Sequence, residues 1–206
     1  LDSDVAGIMM TQPNTLGIFD SAFEKISQLV HDAGGLVYMD GANMNAMLCH
    51  SKPGEIGTDI MHFNLHKTFS TPHGMGGPGS GPVAVREDLV KFLPVPLVEK
   101  DGNGYFLNYD LEKSIGRVKE GYGNVGVIIK AFTYIMALGV EGLFNVTDIA
   151  VLNSNYLKKK LTEFYGIKYD KLCKHEFVLD NSMQKEHGVK TLHIAKRLLD
   201  YGFHAP

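Results

Sequence analysis

An α/β fold built on a parallel sheet is what three features of this 206-residue sequence predict. Two short apolar runs, Val5 to Met10 and Leu36 to Asp40, have the length of buried strands. Between them lies a segment with Phe23, Ile26, Leu29 and Val30 at helical spacing. The connections are short and carry turn residues, so strand, helix and strand form a βαβ unit with parallel strands.

Each element follows from local chemistry. Thr11-Gln-Pro-Asn-Thr-Leu-Gly17 reads as a polar turn, and Asp20 is placed to open the helix, which runs to about Ala33 and stops at Gly34-Gly35. The second strand is so apolar that burial on both faces is expected, and it ends in a carboxylate, Asp40. Asp59 to Asn64 predicts a third strand and Pro82 to Arg86 a fourth, with a glycine- and proline-rich loop from Gly74 to Pro82 and a short helix over Asp88 to Phe92. Residues 99–120 are polar and read as loop, with a turn at Gly102-Asn-Gly104. Residues 122–138 and 141–161 carry helical periodicity on either side of Gly139, with Ile135, Leu138, Leu143 and Phe144 expected to pack the two helices together. His175 to Leu179 is a strand candidate, and Val189 to Tyr201 an amphipathic helix. These patterns place a larger domain at 1–150 and the start of a smaller α/β domain at 151–206.

Composition narrows the function classes. Lys+Arg 20 against Asp+Glu 23 gives a net charge of −3, which argues against a strongly basic nucleic-acid or membrane-surface protein. Two cysteines, Cys49 and Cys173, provide no disulfide framework, read as buried or incidental thiols, and predict a reduced, cytoplasmic setting. The apolar stretch from Val125 to Gly139 is interrupted by Lys130 and is short for a bilayer span, so no membrane partner is expected. The chain opens on Leu1 and stops soon after a helix-like segment, which predicts a piece of a longer polypeptide.

Three groups of residues carry potential chemistry. Asp40 ends one parallel strand and Lys67 follows the next, which puts both at the carboxyl edge, where open α/β sheets bind ligands. A carboxylate and an amine so placed suit pyridoxal phosphate, the lysine linking to the aldehyde and the aspartate keeping the ring nitrogen protonated. A strand-capping Asp and an ordinary surface Lys are the bland alternative. Gly74-Met-Gly-Gly-Pro-Gly79 matches G-x-G-x-x-G, but a strand follows it instead of a helix, so it is read as a tight loop and not as a dinucleotide fingerprint. His62 and His66 have the H-x-x-x-H spacing of a helical metal pair. On a strand their rings lie roughly 13 Å apart, so no metal is expected and His62 is read as structural.

Three segments together resemble a known family: Tyr38-Met-Asp-Gly-Ala-Asn-Met-Asn-Ala46, His62-Phe-Asn-Leu-His-Lys-Thr-Phe69 and Pro72-His-Gly-Met-Gly-Gly-Pro-Gly-Ser-Gly-Pro82. They are similar to the P-protein of the glycine cleavage system, in length closest to the second subunit of the two-subunit bacterial form. Thr11 to Gly17, Lys113-Ser-Ile-Gly-Arg117 and Leu152-Asn-Ser-Asn-Tyr-Leu157 extend the likeness over nearly the whole chain. Met75 stands where a glycine is more usual.

The resemblance implies a fold type I pyridoxal-phosphate enzyme, this chain holding part of its large domain and part of its small one. It implies that Lys67 is the Schiff-base lysine, that Asp40 pairs with the pyridinium nitrogen, and that Ala42 packs against the ring. His66, Thr68 and His73 become candidates for phosphate or substrate contacts, with His66 also counted as catalytic, and Thr11 and Asn14 lie in a loop facing the cofactor. The implied reaction is glycine decarboxylation with transfer of the aminomethyl group to the lipoyl arm of the H-protein. The implied partners are that carrier and the first P-protein subunit, in a heterotetramer of the bacterial cytoplasm. The loop from His73 to Gly81 is expected at the mouth of the lipoyl channel. On this reading the chain alone is inactive. An aminotransferase or desulfurase of the same fold, and a non-catalytic scaffold subunit, are the alternatives; retention of both Asp40 and Lys67 argues against a scaffold.

Overall fold

The computed structural model describes residues 1–74, 79–118 and 121–204. A four-stranded sheet runs in the order β1 (Gly7–Thr11), β2 (Leu36–Gly41), β3 (Ile60–Phe63), β4 (Val83–Val85). β1, β2 and β3 are parallel and β4 is antiparallel to β3, so the sheet is mixed. Helix α1 (Phe23–Asp32) makes the crossover from β1 to β2. Asp20 Oδ1 accepts from the Ala22 amide at 2.9 Å and Asp20 O from the Phe23 amide at 3.1 Å, which sets the helix entry. At its other end Gly34, with φ +81, turns the chain into β2.

The core lies between this crossover and the sheet. Phe23 and Val30 of α1 pack on Val37 and Met39 of β2, Met61 of β3, and Met44 and Met47 from the turn after β2. Each such side chain contributes on the order of 1.5–3 kcal/mol by leaving water. β2 departs from the expectation of burial on both faces. Val37 and Met39 are fully buried, whereas Leu36, Tyr38 and Asp40 on the other face are half-buried. In this chain α1 covers the first face, and no comparable helical layer covers the second among the described residues. One buried ionic knot ties the layers. The Asp59 carboxylate accepts from the Val37 amide at 2.7 Å and Arg86 Nη1 at 2.6 Å, and meets His31 Nε2 at 2.8 Å.

Two further expectations are corrected. Residues 97–108 form an antiparallel hairpin, β5 (Leu97–Asp101) and β6 (Gly104–Asn108), around the expected Gly102-Asn turn. Its apolar residues, Leu97-Val98 and Tyr105-Phe106-Leu107, stand in two short runs on either side of the charged Glu99-Lys100-Asp101, without the strict alternation that marks a strand in sequence. His175 to Leu179 is irregular; the nearest pairing is an isolated bridge between Gly166 and Asp180. Just before it, Cys173 and Lys174 bond through their backbone to Asn155 and Gly17. Cys49 is exposed; Cys173 is buried, its sulfur 3.2 Å from Ser154 Oγ.

The helical region bears out the break at Gly139. Helix α2 (Val125–Leu161) contains Gly139 at φ 63, ψ −174, so its hydrogen-bonded run is two arms, 125–138 and 140–161. Asn124 Oδ1 caps the start by accepting from Val127 N at 3.3 Å. The arms pack on the sheet domain. Val127 and Ala131, with Ile135, cluster with Leu65 and Phe69, and the Phe144 ring meets His50 edge-on at 5.0 Å. By length and composition α2 is apolar enough to cross a membrane, but the glycine break and this docking assign its buried residues to the core. Two helices follow, α3 (Ser182–Lys185) and α4 (Thr191–Asp200).

Candidate active site

The parallel register brings three side chains to one rung at the carboxyl edge of the sheet: Thr11 of β1, Asp40 of β2 and His62 of β3. Asp40 Oδ1 accepts from the Ala42 amide at 2.9 Å and lies 3.1 Å from His62 Nε2, while Oδ2 accepts from Thr11 Oγ1 at 3.2 Å. His62 Nδ1 lies 2.8 Å from the Tyr38 hydroxyl. The bonds select a consistent proton arrangement: Tyr38 O–H donates to Nδ1, and Nε2–H donates to the ionised carboxylate. Burial, then the Asp40 charge, hold the Tyr38 phenol above its usual range, so the donor stays protonated. His62, read from the sequence as structural, shares the rung with Asp40 and contacts its carboxylate. Its signal was the register, which no spacing within one strand reveals.

Close backbone approach shapes the floor. A Cβ on Gly41 would sit 2.0 Å from the His62 carbonyl oxygen, so the chain next to Asp40 tolerates no side chain. Ala42 follows, buried and small. Asn14 holds the loop after β1: its Oδ1 accepts from the Leu16 and Ile18 amides at 3.0 and 3.2 Å.

β3 leads into the turn that carries Leu65, His66, Lys67, Thr68 and Phe69. Leu65, Thr68 and Phe69 are buried as anchors and Lys67 is exposed. Thr68 Oγ1 donates to Asn45 Oδ1, a residue that sequence reasoning did not single out. The His66 and His73 rings meet edge-to-face at 4.5 Å, and His66 Nδ1 is buried without a hydrogen-bond partner. Burial, His73 and then Lys67 push the His66 imidazole below its ordinary value, which keeps it neutral near pH 7. The loop centre, residues 75–78, including Met75, Gly76 and Gly77, lies outside the described residues.

A second missed residue arrives from the C-terminal part. Asn155 of α2 grips Cys173 at both backbone groups, donating to its carbonyl at 2.7 Å and accepting from its amide at 3.1 Å. The next residue, Lys174, donates its amide to Gly17 O at 2.7 Å in the loop after β1. His175 is thereby carried to the side of the sheet that holds Thr11. Burial, more than any neighbouring charge, pushes the His175 imidazole below its ordinary value.

The fold is that of the fold type I pyridoxal-phosphate-dependent transferases. A crystal structure of a glycine decarboxylase (P-protein) of the glycine cleavage system, in inhibitor-bound form, matches with a TM-score of 0.81 at 24% identity, covering 99% of this chain and 47% of that one. A cysteine desulfurase from Thermococcus onnurineus NA1 matches at 0.65 with 19% identity, covering 97% of this chain and 48% of that one. The family model described as glycine cleavage system P-protein matches residues 1–111, and one described as glycine dehydrogenase, C-terminal domain, matches residues 146–206. The chain belongs to the glycine cleavage system P-protein family. Proteins described as probable glycine dehydrogenase (decarboxylating) subunit 2 from Fervidobacterium nodosum and Caldanaerobacter subterraneus subsp. tengcongensis are each 56% identical to it over 100% of this chain. The chain spans 43% and 42% of those relatives' lengths.

Proposed function

We propose that the full-length protein decarboxylates glycine with pyridoxal phosphate and passes the aminomethyl group to the lipoyl arm of an H-protein. Family membership supports the reading, and one observation carries it to the residues. The Thr11–Asp40–His62 rung presents a braced carboxylate at the same sheet edge as the exposed Lys67.

The residues fit the cofactor. Among the described residues Asp40 Oδ2 takes one long bond, 3.2 Å from Thr11, and so retains acceptor capacity for a protonated ring nitrogen. Ala42, two residues on from that carboxylate, is buried and small. The buried, unpartnered Nδ1 of His66 is a polar group without a protein partner, as a site that receives a polar ligand requires. His66, Thr68 and His73 are the groups we assign to phosphate or substrate contacts, and Thr11 and Asn14 to the loop facing the ring. When bound, pyridoxal phosphate supplies an aldehyde for covalent attachment and an electron-accepting ring.

The chain's own residues then have distinct tasks. Lys67 would hold the cofactor through its amine, and its Nζ would carry a proton during the reaction. Asp40 keeps negative charge at the ring nitrogen. His62 and Tyr38 fix the carboxylate's orientation through the relay of 3.1 and 2.8 Å contacts. We place the division between the larger and smaller domains near residue 150, the activity in the cytoplasm, and the first P-protein subunit as the stable partner; the relatives' designation as subunit 2 supports that partner.

Borohydride reduction of the full-length protein loaded with pyridoxal phosphate, followed by peptide mapping, is expected to put the label on Lys67. A label on Lys52 or Lys91 instead removes Lys67 from the role.

A further inference from the structure

Asp40 and Lys67 stand on separate segments, each running into a turn beyond its strand. A side-chain bond joins the two turns: Thr68 Oγ1 donates to Asn45 Oδ1. Asn45 lies five residues past Asp40, and Thr68 one residue past Lys67. Both ends of the bond are anchored. Asn45 stands in a short turn (Met44–Ala46) between two buried residues, and Met44 belongs to the core beneath α1. Thr68 is buried beside Phe69, which clusters with Leu65 and with Val127 and Ala131 of α2.

Backbone bonds close the Lys67 turn. Lys67 N donates to Asn64 O at 3.1 Å, Ser70 N to Lys67 O at 3.3 Å and Thr71 N to Leu65 O at 3.2 Å. Closure puts Ser70 at φ 57, in the left-handed region that a side chain disfavours. Such a conformation persists only where its surroundings hold it. Lys67 itself is exposed, so the turn sets where its side chain starts. A hydroxyl has one proton to give. Thr68 gives that proton to Asn45 and keeps lone pairs, which suit a substrate ammonium and not the oxygens of a phosphate.

We propose that Asn45 is a positioning residue for Lys67, acting through Thr68 to hold the Lys67 turn at a fixed separation from Asp40. The ligand's shape requires such a strut. In pyridoxal phosphate the ring nitrogen and the aldehyde-bearing carbon lie at opposite ends of a flat, rigid ring. The proposed function gives the first to Asp40 and the second to Lys67, so the two turns must match one spacing. The proposal rests on Lys67 being the lysine that holds the cofactor.

The test uses the full-length apo protein as parent, Asn45→Ala, Thr68→Val, Thr68→Ser and the Asn45→Ala/Thr68→Val double variant. Equilibrium affinity is measured for two ligands. One is pyridoxal phosphate; the other is its analogue with a methyl group in place of the aldehyde, which can meet Asp40 but cannot link to a lysine. Borohydride reduction and peptide mapping give the Lys67 occupancy of each pyridoxal phosphate sample. Asn45→Ala and Thr68→Val are each expected to weaken pyridoxal phosphate about tenfold and the analogue by less than about twofold. The double variant should be no weaker than the weaker single one, because both changes remove the same bond. Thr68→Ser, which keeps the hydroxyl, should recover the affinity that Thr68→Val loses. Unchanged affinities, equal losses for the two ligands, additive losses or no recovery in Thr68→Ser each overturn the proposal. An unlabelled Lys67 in the parent overturns the reading of Lys67 itself, a failure distinguished from the others because it needs no variant.

Discussion

Asp40 and His62 face each other across adjacent parallel strands, carboxylate Oδ1 3.1 Å from imidazole Nε2. Thr11 closes the same rung from the other side. The carboxylate is braced on both flanks, so in the proposed function little reorganisation is needed to place negative charge at a ring nitrogen.

Asp40→Asn keeps an oxygen acceptor for Thr11 and Ala42 but removes the charge. Glycine decarboxylation is expected to fall about a hundredfold or more, equivalent to ~2.7 kcal/mol or more of transition-state stabilisation. Cofactor occupancy should fall far less. Steady-state rates with occupancy measured on the same sample check this, and near-parental turnover removes Asp40 from the chemistry.

In the proposed function His62 acts through Asp40. His62→Ala in the parent is expected to slow turnover measurably, while in an Asp40→Asn background it should change the rate by less than about twofold. Additive losses in this double-mutant cycle would show that His62 has a separate task.

The Asp59 carboxylate is 4% exposed and serves Val37 N, Arg86 and His31 together. Asp59→Ala leaves the Val37 N–H without its charged acceptor and is expected to cost about 2–4 kcal/mol. Thermal unfolding should shift down by roughly 2–4 °C per kcal/mol. A loss below about 1 kcal/mol would mean that the knot is replaced by water without penalty.

Gly139 occupies φ 63, ψ −174, a region essentially closed to side chains, although a Cβ there meets no atom within 4 Å. Gly139→Ala is therefore expected to destabilise through backbone strain alone, by roughly 1–3 kcal/mol. Denaturant unfolding measures it. A neutral or stabilising outcome would imply that the two arms can merge into one straight helix.

His66 and His175 both bind protons less readily folded than unfolded, chiefly because burial disfavours the imidazolium. Below the usual histidine value of 6.5 the unfolded chain therefore takes up protons that the folded one refuses. Their contribution is fully present above that value and is lost as pH falls through the lowered folded values. Melting temperature is expected to drop on acidification below 6.5, and His175→Gln should flatten the slope. An unchanged slope in that variant would remove His175 as a contributor.

The sequence alone determined the parallel strands, the crossover helix, the edge that carries Asp40 and Lys67, and the break at Gly139. Each is a local signal: an apolar run, a helical period, a carboxylate at a strand end, a glycine between two helical patterns. Tertiary structure decided the rest. His62 joins Asp40 because register between strands sets which side chains share a rung, and register is a property of pairs. The hairpin at 97–108 emerged from a polar stretch because strand pairing satisfies backbone groups whatever the side chains' polarity. Cys173 and Lys174 are held by Asn155 of α2 and by Gly17 in the loop after β1, partners remote from them in the chain. Such contacts join segments that are remote in sequence, and only the folded packing brings them together.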